Sequence, residues 1–308
     1  MAGGNLRARY EAMARIREFE EVVSRAHADG HLPGLLHLST GGEAVAVGVL
    51  GLLDDSDRVY TSHRGHGHFL AAGEDPHSVL AELAGRETGL CRGRGGSMHL
   101  MGRRAVLATG VVGGTLPIAL GHALVVPDRA VAVVFFGDGA AQTGVFHETL
   151  NLAKLWAAPV VFVCENNGWA EFTARAEHTT VESVAAYARV YDIPAETVDG
   201  GDVVAVEAAA DRLVEHVRSG NGPALLECQV TRIRPHYEGD LRRSDDADPN
   251  DPMQRLAATL VESGEDPENL ATLRRSAAEA AERELARVLA DPPARADDDR
   301  ELVFRRQP

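Results

Sequence analysis

FFGDGAAQTGVFHETLNLAKLWAAPVVFVCENNGWAEF, residues 135–172, decides the fold. With the residues before it, 131–136 (VAVVFF) is a continuous run of β-branched, aromatic and small apolar residues, as expected of a parallel strand buried on both faces. Gly137-Asp138-Gly139 ends the run with residues that permit a tight turn, which puts Asp138 at the carboxyl end of a central strand. From Gly144 to Trp156 the spacing of Val145, Leu150, Leu152 and Leu155 is helical, Pro159 closes the connection, and 159–164 (PVVFVC) is a second buried strand. The result is one right-handed strand-helix-strand unit. Parallel strands align their carboxyl ends, so Asp138 and the turn Glu165-Asn166-Asn167-Gly168 are expected side by side, where open α/β sheets bind ligands. A carboxylate and an amide oxygen are hard ligands that suit Mg2+ sharing its shell with phosphate oxygens. Gly139 and Ala140 are small enough for backbone N–H groups to approach those phosphates near a helix start.

Asn167 follows Asp138 by 29 positions. A GDG followed by NN at that distance resembles the thiamine-diphosphate motif. A strand-turn-strand that merely needs glycines and a capping asparagine explains either half alone, but not the pair on matching strand ends. The resemblance implies that Asp138 and Asn167 hold Mg2+ together with the main-chain carbonyl of Trp169, and that Gly137, Asp138, Gly139 and Ala140 belong to the cofactor-binding turn.

Composition agrees with an enzyme. At 308 residues, 44% hydrophobic and 25% charged, the chain can bury a large core. No apolar run approaches the ~20 residues of a membrane span, and the charged amphipathic N-terminus lacks the apolar centre of a secretory signal. A net charge of −15 argues against a nucleic-acid partner. Three cysteines, Cys91, Cys164 and Cys228, without metal spacing, suggest reduced thiols in a cytoplasm.

Outward from the central unit, apolar patterns alternate between the two periods. Helices are expected over the first 29 residues, 41–53, 77–86, 116–126 and 202–220, and strands over 57–62, within 191–200 and over 223–233. This pattern predicts a three-layer α/β/α architecture with a mostly parallel sheet; the resemblance set out below implies that it is the thiamine-diphosphate-binding fold. We divide the chain into a diphosphate-half binding domain, 1–252, and a C-terminal helical region and tail, 253–308. Residues 238–252 read as loop, 253–291 as charged amphipathic helix, and the segment from 292 as a peripheral or partner-bound tail.

Four further stretches, HLSTGGEAVAVG, TSHRGHGHFLAAG, AELAGRETGLCRGRGGSMHL and ATGVVGGTLPIALG, together with the central unit, resemble the alpha subunits of thiamine-dependent 2-oxo acid dehydrogenases over roughly residues 10 to 260. HRGHGH, ATGVVGGTLPIALG and HYEGD are most similar to the acetoin-dehydrogenase type. The resemblance implies an oxidoreductase alpha subunit that works in an α2β2 heterotetramer with a beta subunit. Such an enzyme cleaves or decarboxylates a 2-oxo acid or acetoin and passes the acyl or hydroxyalkyl fragment to a lipoyl group on an acyltransferase or carrier protein. The glutamate that activates the cofactor is then expected on the beta subunit, and Glu43 is not assigned that role. A second reading is a two-carbon transfer or carboligation subunit of a biosynthetic pathway with a carrier-protein acceptor.

Each block also has its own chemistry. Arg64, after a strand and among glycines, could clamp a diphosphate bidentately or form a surface ion pair. The resemblance puts both His63 and Arg64 on the diphosphate. His63, His66 and His68 have a spacing that could mimic zinc ligation, but no nearby cysteine or carboxylate completes the set. Gly110-Val111-Val112-Gly113 precedes a helix; it is either a turn needing small residues or, by resemblance, the place where the main chain of Gly110 and Val112 meets the aminopyrimidine. In VTRIRPHYEGD (230–240) the resemblance brings Arg232 to the diphosphate and His236 beside the thiazolium, where an imidazole can exchange protons near neutral pH. His37, on an apolar stretch where a lone histidine is most often a core residue, matches the second active-site histidine. Where mammalian-type relatives have a phosphorylatable serine this chain has Tyr237, so serine-kinase control there is not expected. Pro235 replaces the usual glycine and stiffens that loop.

Overall fold

A computed structural model describes residues 6–240 and 250–295. In chain order its strands are β1 (Arg58–Ser62), β2 (Ala105–Thr109), β3 (Ala132–Gly137), β4 (Val160–Asn166), a small hairpin of β5 (Trp169–Ala170) and β6 (Thr173–Ala174), β7 (Ala195–Asp199) and β8 (Ala224–Gln229). Six of them make one all-parallel sheet in the order β2-β1-β3-β4-β8-β7. The order reverses between β1 and β3, so the crevice for a ligand opens above the carboxyl ends of the central strands.

Alternation along β3 shows the three layers. Ala132, Val134 and Phe136 pack with helices α5 (Thr115–Ala123), α6 (Gly144–Leu155) and α8 (Val184–Val190) on one face. Val133 and Phe135 point the other way, into a core shared with α1 (Leu6–Ala28), α2 (Glu43–Leu50), α3 (His66–Ala71), α4 (Pro76–Leu83) and α9 (Val203–Arg218). Both faces of the sheet are therefore dry, which explains why β3 and β4 are apolar at every position up to their polar ends. The single turn α7 (Arg175–His178) follows the hairpin.

Where the sequence predicts one helix over 253–291, the structure has two, α10 (Pro252–Glu262) and α11 (Pro267–Ala290). Gly264 takes φ +98° and Asp266 caps the Glu268 N–H ahead of Pro267, so the chain stops and restarts. Met253, Leu256 and Leu260 of α10 and Leu270 of α11 bury against Tyr10 and Met13 of α1. Arg17 fastens the junction from α1, donating to Glu43 of α2 at 2.6 Å and, through two nitrogens, to Asp251 at 3.0 Å. Two other expected elements are shorter than read. The helix at 116–126 ends at Ala123, ahead of Pro127, and the strand at 223–233 ends at Gln229, freeing 230–240 to cross the top of the sheet. Most of the loop expected at 238–252, and the tail beyond 295, lie outside the described residues.

Candidate active site

The sheet delivers most of the candidate residues directly. His63 and Arg64 follow β1, Gly110 and Val112 follow β2, Asp138, Gly139 and Ala140 follow β3, Asn167 and Trp169 follow β4, and Arg232 and His236 lie on the segment leaving β8. His37 comes from residues 31–42, which run without strand structure between α1 and α2. With the exception of Asp138, every one of these residues and Gly137 lines a single cavity of about 440 Å³.

Asp138 lies beneath that cavity, fully buried, and neither carboxylate oxygen has a hydrogen-bond partner. Its own N–H and that of Asn167 face the carboxylate without reaching hydrogen-bond geometry. Burial raises its pKa above the ordinary carboxylate value, against the opposing pull of Arg175. A buried acid without hydrogen bonds, with Arg175 Nη1 no nearer than 3.8 Å, favours a cation beside it. Asn167 stands on the neighbouring strand end because Gly137 and Glu165 are paired in the β3–β4 ladder, and its Oδ1 accepts the Trp169 N–H at 3.0 Å. Above Asp138 the wall is bare: a Cβ on Gly137 would meet nothing within 4 Å, whereas one on Gly139 would come within 2.8 Å of the Ala170 Cβ. These donors and this open cradle fit a divalent cation with a diphosphate.

The hairpin β5–β6 closes over this floor. Its tip residue Glu171 takes φ +56°, a costly conformation for a side chain-bearing residue, and its carbonyl accepts Arg232 Nη1 at 3.0 Å. Phe172 places its ring 5.7 Å from that of His236.

Arg64 is engaged with backbone. Its guanidinium donates to the Leu38 carbonyl at 2.6 Å and to the His236 carbonyl at 3.0 Å, binding together the segments that carry the two expected catalytic histidines. Burial, with Arg232 nearby, pulls its pKa down to about 10, which leaves it charged at neutral pH. The rings of His37 and His236 are 5.0 Å apart. Burial, reinforced by His63 and Arg64, lowers the His37 pKa to about 2; burial and Arg64 lower that of His63 to about 3. Both rings are therefore neutral, each with one nitrogen lone pair free to accept a hydrogen bond.

His66 and His68 do not join His63. His66 sits fully buried between Glu20 at 2.9 Å and Ser97 at 2.9 Å, and His68 meets Thr61 at 2.9 Å and Glu165 at 3.4 Å. The zinc-like spacing thus dissolves into three directions, because the helical start at His66 turns successive side chains apart. Glu20 also accepts the N–H and Oγ of Ser39; burial raises its pKa, but His66 and these donors outweigh that and hold it low. Glu43 accepts hydrogen bonds from Arg17 and the Gly41 N–H.

The sequence does not single out Ser39, Met98, Glu165 or Glu171, all of which line the cavity. Glu165 alone had a signal, standing beside the paired asparagines.

The sequence matches the dehydrogenase E1 component family over residues 11–296. This chain belongs to that family. It is 47% identical over 236 residues to the alpha subunit of acetoin:2,6-dichlorophenolindophenol oxidoreductase from Bacillus subtilis, covering 75% of this chain and 71% of the relative. The Cupriavidus necator protein of the same name is 44% identical over the same shares. The alpha subunit of the pyruvate dehydrogenase E1 component from Rhizobium meliloti is 38% identical over 267 residues, 83% of this chain and 77% of the relative. E1 membership also accounts for the parallel sheet and for the thiamine diphosphate dependence that the GDG and NN turns imply. Among the described residues no helix of this E1 chain is long and apolar enough to cross a membrane.

Proposed function

We propose that this chain is the alpha subunit of a thiamine-diphosphate-dependent dehydrogenase that cleaves acetoin or decarboxylates a 2-oxo acid, and that it works in a cytoplasmic α2β2 assembly passing the fragment to a lipoyl group. The observation that carries the reading is the buried Asp138 carboxylate, without a hydrogen bond, on the strand end beside that of Asn167 and next to the open Gly137 turn. Asp138, Asn167 and the Trp169 carbonyl would hold Mg2+, with Gly137, Gly139 and Ala140 next to the phosphates. Gly110 and Val112 would offer main-chain groups to the aminopyrimidine. The cofactor, when bound, supplies the electron sink for carbon–carbon cleavage.

The chain's own residues supply the positioning. Arg64 holds His37 and His236 on one wall through the Leu38 and His236 carbonyls. His37, kept neutral, offers its Nδ1, which lacks a hydrogen bond, as a hydrogen-bonding group toward the cavity. The hairpin tip, whose Glu171 carbonyl accepts Arg232, forms one side of the cavity. Acetoin is the substrate we favour, since the acetoin relatives are more similar than the pyruvate dehydrogenase relative. Co-expression with a beta-type subunit and a dye-reduction assay test this: acetoin should be turned over at least tenfold more efficiently than pyruvate, and the isolated alpha chain should turn over neither. Efficient turnover by the alpha chain alone would overturn the division of labour.

A further inference from the structure

Three imidazoles, expected singly at the cofactor, meet at the cavity wall. The ring nitrogens offered by His37, His63 and His236 all lie within 4.8 Å of one another, with ring centroids 4.5, 5.0 and 5.6 Å apart. His37 is 5% exposed and its Nδ1 is buried without a partner, as is the His63 Nε2. All three side chains face the same cavity. One guanidinium sets their backbone positions: Arg64 follows His63 directly and donates to the carbonyl of Leu38, next to His37, and to that of His236 itself. Chain entropy for assembling the triad is thereby already spent in the fold.

We propose that His37, His63 and His236 form a binding site for a borderline divalent transition-metal ion, Zn2+ being the best match, with the cavity providing an open fourth position. Three nitrogen ligands and no carboxylate select Zn2+ or Co2+ over Mg2+, which prefers oxygen. Metal–nitrogen bonds of about 2.0–2.1 Å bring tetrahedral ligands closer than these nitrogens, within 4.8 Å of one another, now stand, so binding draws the rings together. Arg64 and Arg232 oppose a cation here, while Glu20, Glu165 and Glu238, the acids facing Arg64, offset part of that charge. The site is separate from the Asp138 floor, which has oxygen ligands. A metal held by the triad blocks the cavity, so the site is an inhibitory one.

Titrating the full chain with Co2+ in the presence of excess Mg2+ tests the proposal without reference to turnover or to thiamine diphosphate. Expected is one Co2+ per chain with the intense visible bands of a tetrahedral site, discharged by equimolar Zn2+ and unaffected by Mg2+. His63→Gln and His236→Gln should each weaken Zn2+ binding by about 100-fold or more, beyond the 10–100-fold typical of outer-shell changes. Because such variants could fail to fold, X-ray absorption on the zinc-loaded unmutated chain provides a second reading, with three imidazole ligands expected. No tetrahedral bands, a sulfur ligand, or undiminished binding by folded variants would each overturn it. In the assembled enzyme, Zn2+ should inhibit at concentrations that fill the site; full activity with the site filled would contradict the inhibitory role.

Discussion

Asp138 Oδ2 and Arg175 Nη1 stand 3.8 Å apart beneath the cavity, and neither atom has a hydrogen-bond partner. Arg175 belongs to the short α7 that follows the covering hairpin, so the charge that compensates Asp138 arrives from the segment that closes the site. Removing one partner of a buried pair costs about 3–5 kcal/mol when nothing replaces it. Arg175→Gln should therefore lower the melting temperature of the chain without metal, and saturating Mg2+ with thiamine diphosphate should restore most of the loss, because the cation then takes over the compensation. An equal loss with and without these ligands, read by differential scanning calorimetry, would contradict that role.

The sign of the Asp138 shift sets a pH dependence. Its folded-state pKa is raised, so folding favours the protonated acid: the group costs nothing at low pH and destabilises the metal-free chain as pH rises through the folded pKa. Asp138→Asn should raise the melting temperature of the metal-free chain at pH 7, and the gain should vanish on acidification. A gain independent of pH would contradict the assignment.

His37 and His63 carry the opposite dependence. Their folded pKa values of about 2 and about 3 lie below the unfolded value near 6.5, so the stability they contribute is complete above pH 6.5 and is lost progressively as pH falls towards 3. His37→Gln should flatten the acid limb of stability against pH between 6.5 and about 4, measured by urea denaturation. An unchanged limb would show that His37 is not held neutral.

Arg17 is nearly buried and paired with both Glu43 and Asp251. Arg17→Met leaves two acids without a counter-charge and should cost about 3–5 kcal/mol. Burial lowers the Arg17 pKa, but Glu43 and Asp251 outweigh it, leaving it raised overall and the group charged at any accessible pH. A denaturation midpoint unmoved by the substitution would remove Arg17 from the junction of α1, α2 and α10.

Much of this was legible in the sequence, and for a physical reason. Strands buried on both faces, such as 131–136 and 159–164, announce themselves as unbroken apolar runs, and their polar ends, Asp138 and Asn167, mark the ligand edge of the sheet. The short β2 did not, because AVLAT offers too few residues for a period. Neither did the hairpin at Trp169–Ala174, whose turn rests on a strained Glu171 instead of the glycine that would have signalled it. The partners of Arg64 are backbone carbonyls, which carry no residue type to recognise. The meeting of His37, His63 and His236 joins positions far apart in the chain, and only the fold brings them together.

The central claim is that Asp138 anchors a Mg2+-bound thiamine diphosphate. Calorimetric titration of the cofactor with Mg2+ into the assembled enzyme carrying Asp138→Ala tests it most directly. Loss of a buried ligand charge worth about 3 kcal/mol or more corresponds to an affinity reduced about 100-fold or more, with the Mg2+ dependence abolished. Binding as tight and as Mg2+-dependent as in the unmutated enzyme would contradict the account.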